Sequence, residues 1–152
     1  MTVDLIYPGK MPGKIDAWTE HLRMRPTQTP GQVELTMHSF LTLLAPGDVV
    51  QVADGCITEV VSLRPQWVYI VDLHLPKDFL QVPMTDDHPG VRKAEALFER
   101  WERDTPVTMS TSWRARVSTT SEQWFIDNVR SHKYVEHVEL VRSPDLRRID
   151  IP

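Results

Sequence analysis

The run from Pro46 to Pro76, PGDVVQVADGCITEVVSLRPQWVYIVDLHLP, constrains this chain more than any other stretch. It holds the densest concentration of β-branched and aromatic residues, punctuated by turn residues, which is the pattern of strands rather than helices. Pro46-Gly47-Asp48 supplies a turn: Pro sets φ, Gly permits positive φ, and Asp bonds its own backbone. Val49 to Val52 reads as the first strand. Asp54-Gly55 is the strongest short hairpin dipeptide, because both central residues of a type I′ turn need φ > 0. Cys56 to Leu63 reads as the second strand, and Arg64-Pro65-Gln66 as the next reversal. Trp67 to Leu75 is the third. Its apolar run from Trp67 to Val71 predicts a central strand covered on both faces. Beyond it, Asp72 and His74 alternate with Leu73 and Leu75 and so share one face.

The flanking segments carry weaker signals. Val3 to Tyr7 is a short strand by composition. Ile15, Trp18 and Leu22 recur at helical spacing, which predicts a helix over Lys14 to Met24 stopped by Pro26. Thr29-Pro30-Gly31-Gln32 fits a capping box, and Val33, Met37, Phe40 and Leu44 then predict a helix from Pro30 to Leu44. Alternation of Val33, Leu35 and Met37 is the rival strand reading. Lys77 to Asp87 reads as a connection in which Phe79, Leu80 and Val82 touch the sheet or core. Asp86 or Asp87 would cap a helix whose apolar stripe is Val91, Ala94, Leu97, Phe98 and Trp101. Val107 to Val117 alternates strictly, predicting one long strand with Trp113 buried and Arg114 exposed. Thr119 or Thr120 caps a helix ending near His132, and Tyr134 to Val141 is a last strand. That strand–helix–strand unit permits a crossover joining two parallel strands.

The expected fold is α+β: a mixed, mainly antiparallel sheet of about six strands around a central β-meander, with about four helices. A single domain would span residues 1–143, followed by an extended C-terminal arm, residues 144–152.

Composition narrows the function. The 152 residues, 41% hydrophobic and 25% charged, suffice for an ordinary globular core. The net charge of −4 disfavours a general nucleic-acid or anionic-membrane surface. The balance is −5 over residues 1–104 and +1 over residues 105–152, so the last third is mildly basic by comparison. A single cysteine, Cys56, excludes an internal disulfide and fits a reducing compartment. No signal-peptide pattern opens the chain, and no apolar run approaches the roughly 18 residues a membrane helix needs. The expected setting is the cytoplasm, or a particle assembled there.

No chemical motif dominates. Asp72 and His74 share a strand face, and His137 lies between Glu136 and Glu139. The chain nevertheless lacks HExxH, HxH and zinc-spaced cysteine pairs, so no metal is expected. Cys56 follows a hairpin turn rather than opening a helix, and reads as a small apolar residue rather than a nucleophile. There is no GxSxG elbow and no glycine-rich phosphate loop, so no cofactor is expected. Arg114 and Arg116, with Arg130 and Lys133 and the Tyr134 ring, would make a nucleic-acid surface. The competing reading is a solvated strand face diluted by Glu122, Asp127, Glu136 and Glu139. A helix followed by Pro46-Gly47-Asp48-Val49-Val50 and a β-meander resembles, over a short stretch, the barrels of RNA-binding PUA-like domains. The same turn occurs in unrelated barrels.

The function expected from these residues is non-enzymatic binding or assembly through protein–protein contacts, with copies of itself or in a larger assembly. In the arm, Leu146, Ile149 and Ile151 would pack on a neighbour, with Arg147 and Arg148 at the rim. The alternatives are nucleic-acid binding through the arginine face and a small histidine-dependent hydrolase.

Overall fold

A computed structural model describes residues 1–8, 17–74 and 88–151. The chain divides into two compact units. The first is Met1–Pro65 together with Asp145–Pro152, and the second is Gln66–Pro144.

The first unit is a closed barrel of five strands: β1 (Thr2–Pro8), β2 (Ala17–Pro26), β3 (Gln32–Leu35), β4 (Val49–Ala53) and β5 (Cys56–Ser62). Each strand is antiparallel to the next. Closure comes from a short parallel contact between β1 and β5, Asp4 opposite Cys56, where the Asp4 N–H donates to Gly55 O at 2.8 Å. Asp54 and Gly55 have φ of 53° and 76°, as the hairpin dipeptide requires. Val3, Leu5, Leu22, Val33, Leu35, Leu44, Val50 and Ile57 fill the interior.

Two expected helices are strands here. Helical spacing predicts a helix over Lys14 to Met24, but from Ala17 onward the chain pairs with β1 and β3. Glu20, Leu22 and Met24 are partly or fully covered while His21, Arg23 and Arg25 are exposed, a period of two. Ile15 lies outside the described residues. Pro30 to Leu44 is not helical either: Val33 and Leu35 point into the barrel from β3, as the rival alternation required. The chain then forms an irregular loop in which polar side chains replace helical bonding. Ser39 Oγ donates to Glu20 at 2.5 Å, Glu20 accepts the Phe40 N–H at 2.8 Å, and Ser39 Oγ accepts the Thr42 N–H at 3.0 Å. Buried Asp48 accepts the N–H groups of Ala45 (2.8 Å) and Arg64 (2.9 Å), tying the turn before β4 to the segment that follows β5. Gly47 sits at φ 94° with the Arg64 side chain against it, so a Cβ would meet that side chain at 2.4 Å.

The meander is also broken. β4 and β5 form a hairpin in the barrel, but β6 (Trp67–Leu73) belongs to the second unit. That unit is a four-stranded antiparallel sheet, order β7-β8-β6-β9, with β7 Val107–Met109, β8 Arg114–Thr119 and β9 Val135–Arg142. β6 is interior, as its apolar run predicted. The long strand from Val107 to Val117 is instead a hairpin. Ser110 N–H donates to Arg114 O at 2.9 Å, and Thr111 Oγ1 accepts the Arg114 N–H at 3.0 Å, so hydroxyls fold the chain back. Val107 then faces Val117, and the alternation survives within each half. Arg114 is exposed and Trp113 is partly buried against the core.

Helix α1 (Pro89–Glu102) follows its predicted stripe, with Val91, Ala94, Leu97, Phe98 and Trp101 buried. Its cap is His88, whose Nδ1 accepts the Gly90 N–H at 3.0 Å. Asp86, Asp87, Phe79, Leu80 and Val82 lie outside the described residues. Helix α2 (Glu122–Phe125) is capped by Ser121 rather than by Thr119 or Thr120, and runs on as a π-helical turn, Ile126–Arg130. β8 and β9 are both antiparallel to β6, hence parallel to each other with β6 between. The α+β expectation of one six-stranded sheet with four helices is therefore corrected. The described residues form nine strands in a barrel and a separate sheet, with two helices.

Candidate functional site

The two faces of the second unit's sheet differ sharply. One carries Trp67, Tyr69, Val71 and Leu73 of β6 with Ala115 and Val117 of β8, and is packed by Leu97, Phe98 and Trp101 of α1 and by Phe125 and Val129. The other carries rows of aligned side chains. Arg114, Asp72 and His137 are register partners across three strands, and so are Arg116, Ile70 and Glu139.

On that second face Asp72 takes two bonds from Arg114, at 2.6 Å from Nε and 3.1 Å from Nη2. This bidentate pairing, then the Asp72 charge, holds the Arg114 guanidinium above its ordinary pKa. The arginine face is therefore charge-balanced by Asp72 and Glu139 over its exposed part. His137 lies directly opposite Asp72, whereas His74 is exposed beyond the end of β6. No group of three or more His, Cys, Asp and Glu side chains that could hold a metal occurs among the described residues. Cys56 opens β5 opposite Ala53 and is half-buried.

Arg130 and Lys133, grouped with Arg114 and Arg116 in the sequence reading, belong to the helix-covered side. Arg130 sits 6.0 Å from the Tyr69 ring centroid and 5.9 Å from that of Phe125. These two rings are stacked, 3.6 Å apart and 8° from parallel. Burial raises the Tyr69 hydroxyl pKa, and the Glu122 charge adds to it, against an opposing pull from Arg130. Leu140 of β9 lies opposite Tyr69 in the ladder and is 49% exposed. Ile126, one turn before Arg130, is 36% exposed. Arg130 thus lies over a buried aromatic base, and exposed aliphatic residues neighbour that base in the ladder and in the chain.

Further along the same side, the turn into β9 gathers rings and cations. His132 meets Trp101 edge-on at 6.2 Å and Tyr134 at 5.4 Å. The Lys133 ammonium lies 5.2 Å from the Tyr134 ring centroid, and Tyr134 is 41% exposed. Burial, then the charges of Arg100 and Lys133, lowers the His132 pKa below its ordinary 6.5. A lowered folded pKa means that the unfolded chain binds the proton more readily. The associated stability is complete above about pH 6.5 and is lost as the pH falls below it. Urea midpoints should therefore drop between about pH 7.5 and pH 5 in a way that His132→Gln reduces. An unchanged pH dependence in that variant would remove His132 from the account.

The C-terminal residues lie with the barrel. Ile149 and Ile151 pack against its core cluster. Together with Arg147, Arg148 and Asp150 they border a groove of about 280 Å³ against the second half of β5, from Thr58, and Leu63 after it. On the other side, Arg148–Ile151 face Leu41–Leu43 across a groove of about 500 Å³. Leu146 is half-buried. Arg148 pairs with Asp150 at 2.7 Å.

No family model, curated protein or solved structure matches the chain. The helix that formed part of the PUA-like resemblance is absent, and Pro46-Gly47-Asp48 instead leads from the irregular loop into β4. Among the described residues, no helix is long and apolar enough to cross a membrane.

The residues that sequence reading missed are Leu140, Ile126, Arg100 and His132. Leu140 and Ile126 are lone aliphatics that no motif singles out. Arg100 looked like one more charge on a solvated helix face. Only Arg130, Lys133 and Tyr134 were legible as candidates, from their closeness in sequence.

Proposed function

We propose that this protein acts by binding another protein chain, and that the contact surface is the helix-covered side of the second unit, along β9 and the turn before it. One observation supports the reading above the rest. Leu140, opposite Tyr69 in the ladder, and Ile126, next to Phe125 in the chain, are both large and exposed near the Tyr69–Phe125 stack that carries Arg130, and exposed Tyr134 immediately precedes β9. Exposed aliphatics beside Tyr and Arg, on a rigid aromatic base, are the composition of a protein-binding hot spot. Preordering matters too: Arg130 is already oriented by the rings, so less side-chain entropy is lost on contact.

The test is the particle mass in solution, measured by light scattering for the protein alone and with its co-purifying species. A Leu140→Glu, Ile126→Glu double variant should keep its melting temperature, since both sites are exposed, and should lose the partner. Retention of the partner by a folded double variant would place the contact elsewhere. The nucleic-acid alternative draws less support, because Arg114 is already committed to Asp72, Arg116 shares its row with Glu139, and Arg130 and Lys133 lie on the helix-covered side.

A further inference from the structure

The corner formed by the end of α1 and the turn into β9 combines three rings with three cationic or protonatable groups. Trp101 of α1 braces His132 from one side, at 85° between ring planes. Tyr134 also lies against it, 33° from parallel. His132 Nδ1 accepts the Tyr134 N–H at 3.2 Å, so in the neutral ring the proton sits on Nε2. The two charges that act on His132 are both positive: Arg100 from α1 and Lys133 from its own turn. A protein of net charge −4 thus concentrates positive charge at this spot. An exposed tyrosine ring with an ammonium beside it provides a flat apolar seat within that field.

We propose that this corner receives an acidic segment of a partner protein, its carboxylates held by Arg100, His132 and Lys133 and an apolar side chain laid on the Tyr134 ring. The inference rests on the protein-binding reading and names the partner's chemistry. Charge complementarity sets the scale. Two cations and one protonatable imidazole match one or two carboxylates. A nucleic acid, by contrast, gains affinity by meeting many phosphates, which a chain of net charge −4 opposes. Binding an anion beside His132 offsets the two positive neighbours and favours its charged form; the proton taken up goes to Nδ1 and displaces the Tyr134 N–H bond, a cost the anion has to outweigh. Arg100, Lys133 and the incoming carboxylates are the charged groups in that balance, with the Trp101 and Tyr134 rings as uncharged walls.

The experiment is an NMR pH titration of the His132 ring protons in the full chain. The probes are a capped hexapeptide of alternating glutamate and phenylalanine, an oligothymidylate, and inorganic phosphate. With the peptide, the His132 midpoint should rise by about one pH unit, and affinity should be about tenfold higher near pH 5.5 than near pH 7.5. An Arg100→Gln, Lys133→Gln variant should lose that affinity by about tenfold or more, while Lys93→Gln should keep it. All three sites are exposed, so folding is not at stake. A midpoint unmoved by the peptide overturns the proposal, as does a shift by the oligonucleotide or by phosphate alone. The Leu140→Glu, Ile126→Glu experiment is independent of this titration, so loss of the acidic-segment inference leaves the protein-binding reading to be judged on that result.

Discussion

Phe125→Ala should cost the second unit about 3–5 kcal/mol, the range for truncating a fully buried aromatic residue. Phe125 is fully buried, stacked at 3.6 Å on Tyr69, and belongs to a helix of only four residues. So short a helix has almost no stability of its own, because nucleation takes most of a turn. Its packing against the sheet therefore rests on the Phe125 ring. Removing that ring opens a cavity beside Tyr69 and takes away one of the two rings beneath Arg130. The measurement is denaturant unfolding followed by tryptophan fluorescence. Arg130→Ala makes the contrast: Arg130 is exposed, so its loss should change stability by well under about 1 kcal/mol. A Phe125→Ala protein less than about 1 kcal/mol below the parent would mean that the π-helical turn closes over the gap.

Truncation after Ser143 should destabilise the barrel unit by about 2–3 kcal/mol, lowering its melting point by roughly 10 °C or more. The arithmetic uses two isoleucines, each partly buried, at about half the value of a full aliphatic burial. Ile149 and Ile151 pack against the cluster formed by Val3, Leu5, Leu22 and their neighbours. The apolar residues that made the tail look like an arm reaching a neighbour are the ones this packing uses. Differential scanning calorimetry of the truncated and full chains separates the alternatives. A truncated chain with unchanged melting temperature and lost self-association would restore the outward arm. Lower stability with assembly intact would assign the tail to its own barrel.

Most of what was legible came from short-range chemistry. Asp54-Gly55 demands positive φ at both positions, so the β4–β5 hairpin follows from the dipeptide. The stripe from Val91 to Trp101 runs long enough for helical spacing to exclude alternation, and α1 is where it was expected. The unbroken apolar run from Trp67 to Val71 required cover on both sides, and β6 lies between two strands. The Leu22 segment was read with the wrong period because three apolar positions at helical spacing are too few to decide against a strand. Pairing with β1 and β3 decided it, and a ladder of backbone bonds outweighs a weak local preference.

By themselves, then, the residues determined turns, one helix and the covered strand, because each depends on bonds and side-chain spacing within a few positions. Tertiary structure alone decided that β6 leaves the meander for another sheet, and that Asp4 meets Cys56 to close the barrel. It also decided that Ile149 and Ile151 return to that barrel's core. The candidate site belongs to this second group. Arg100 and His132 are brought together by the packing of α1 on the sheet, and Arg130 and Leu140 by their common neighbour Tyr69. No spacing within the chain encodes those meetings, because each depends on a surface that exists only once distant segments have folded against one another.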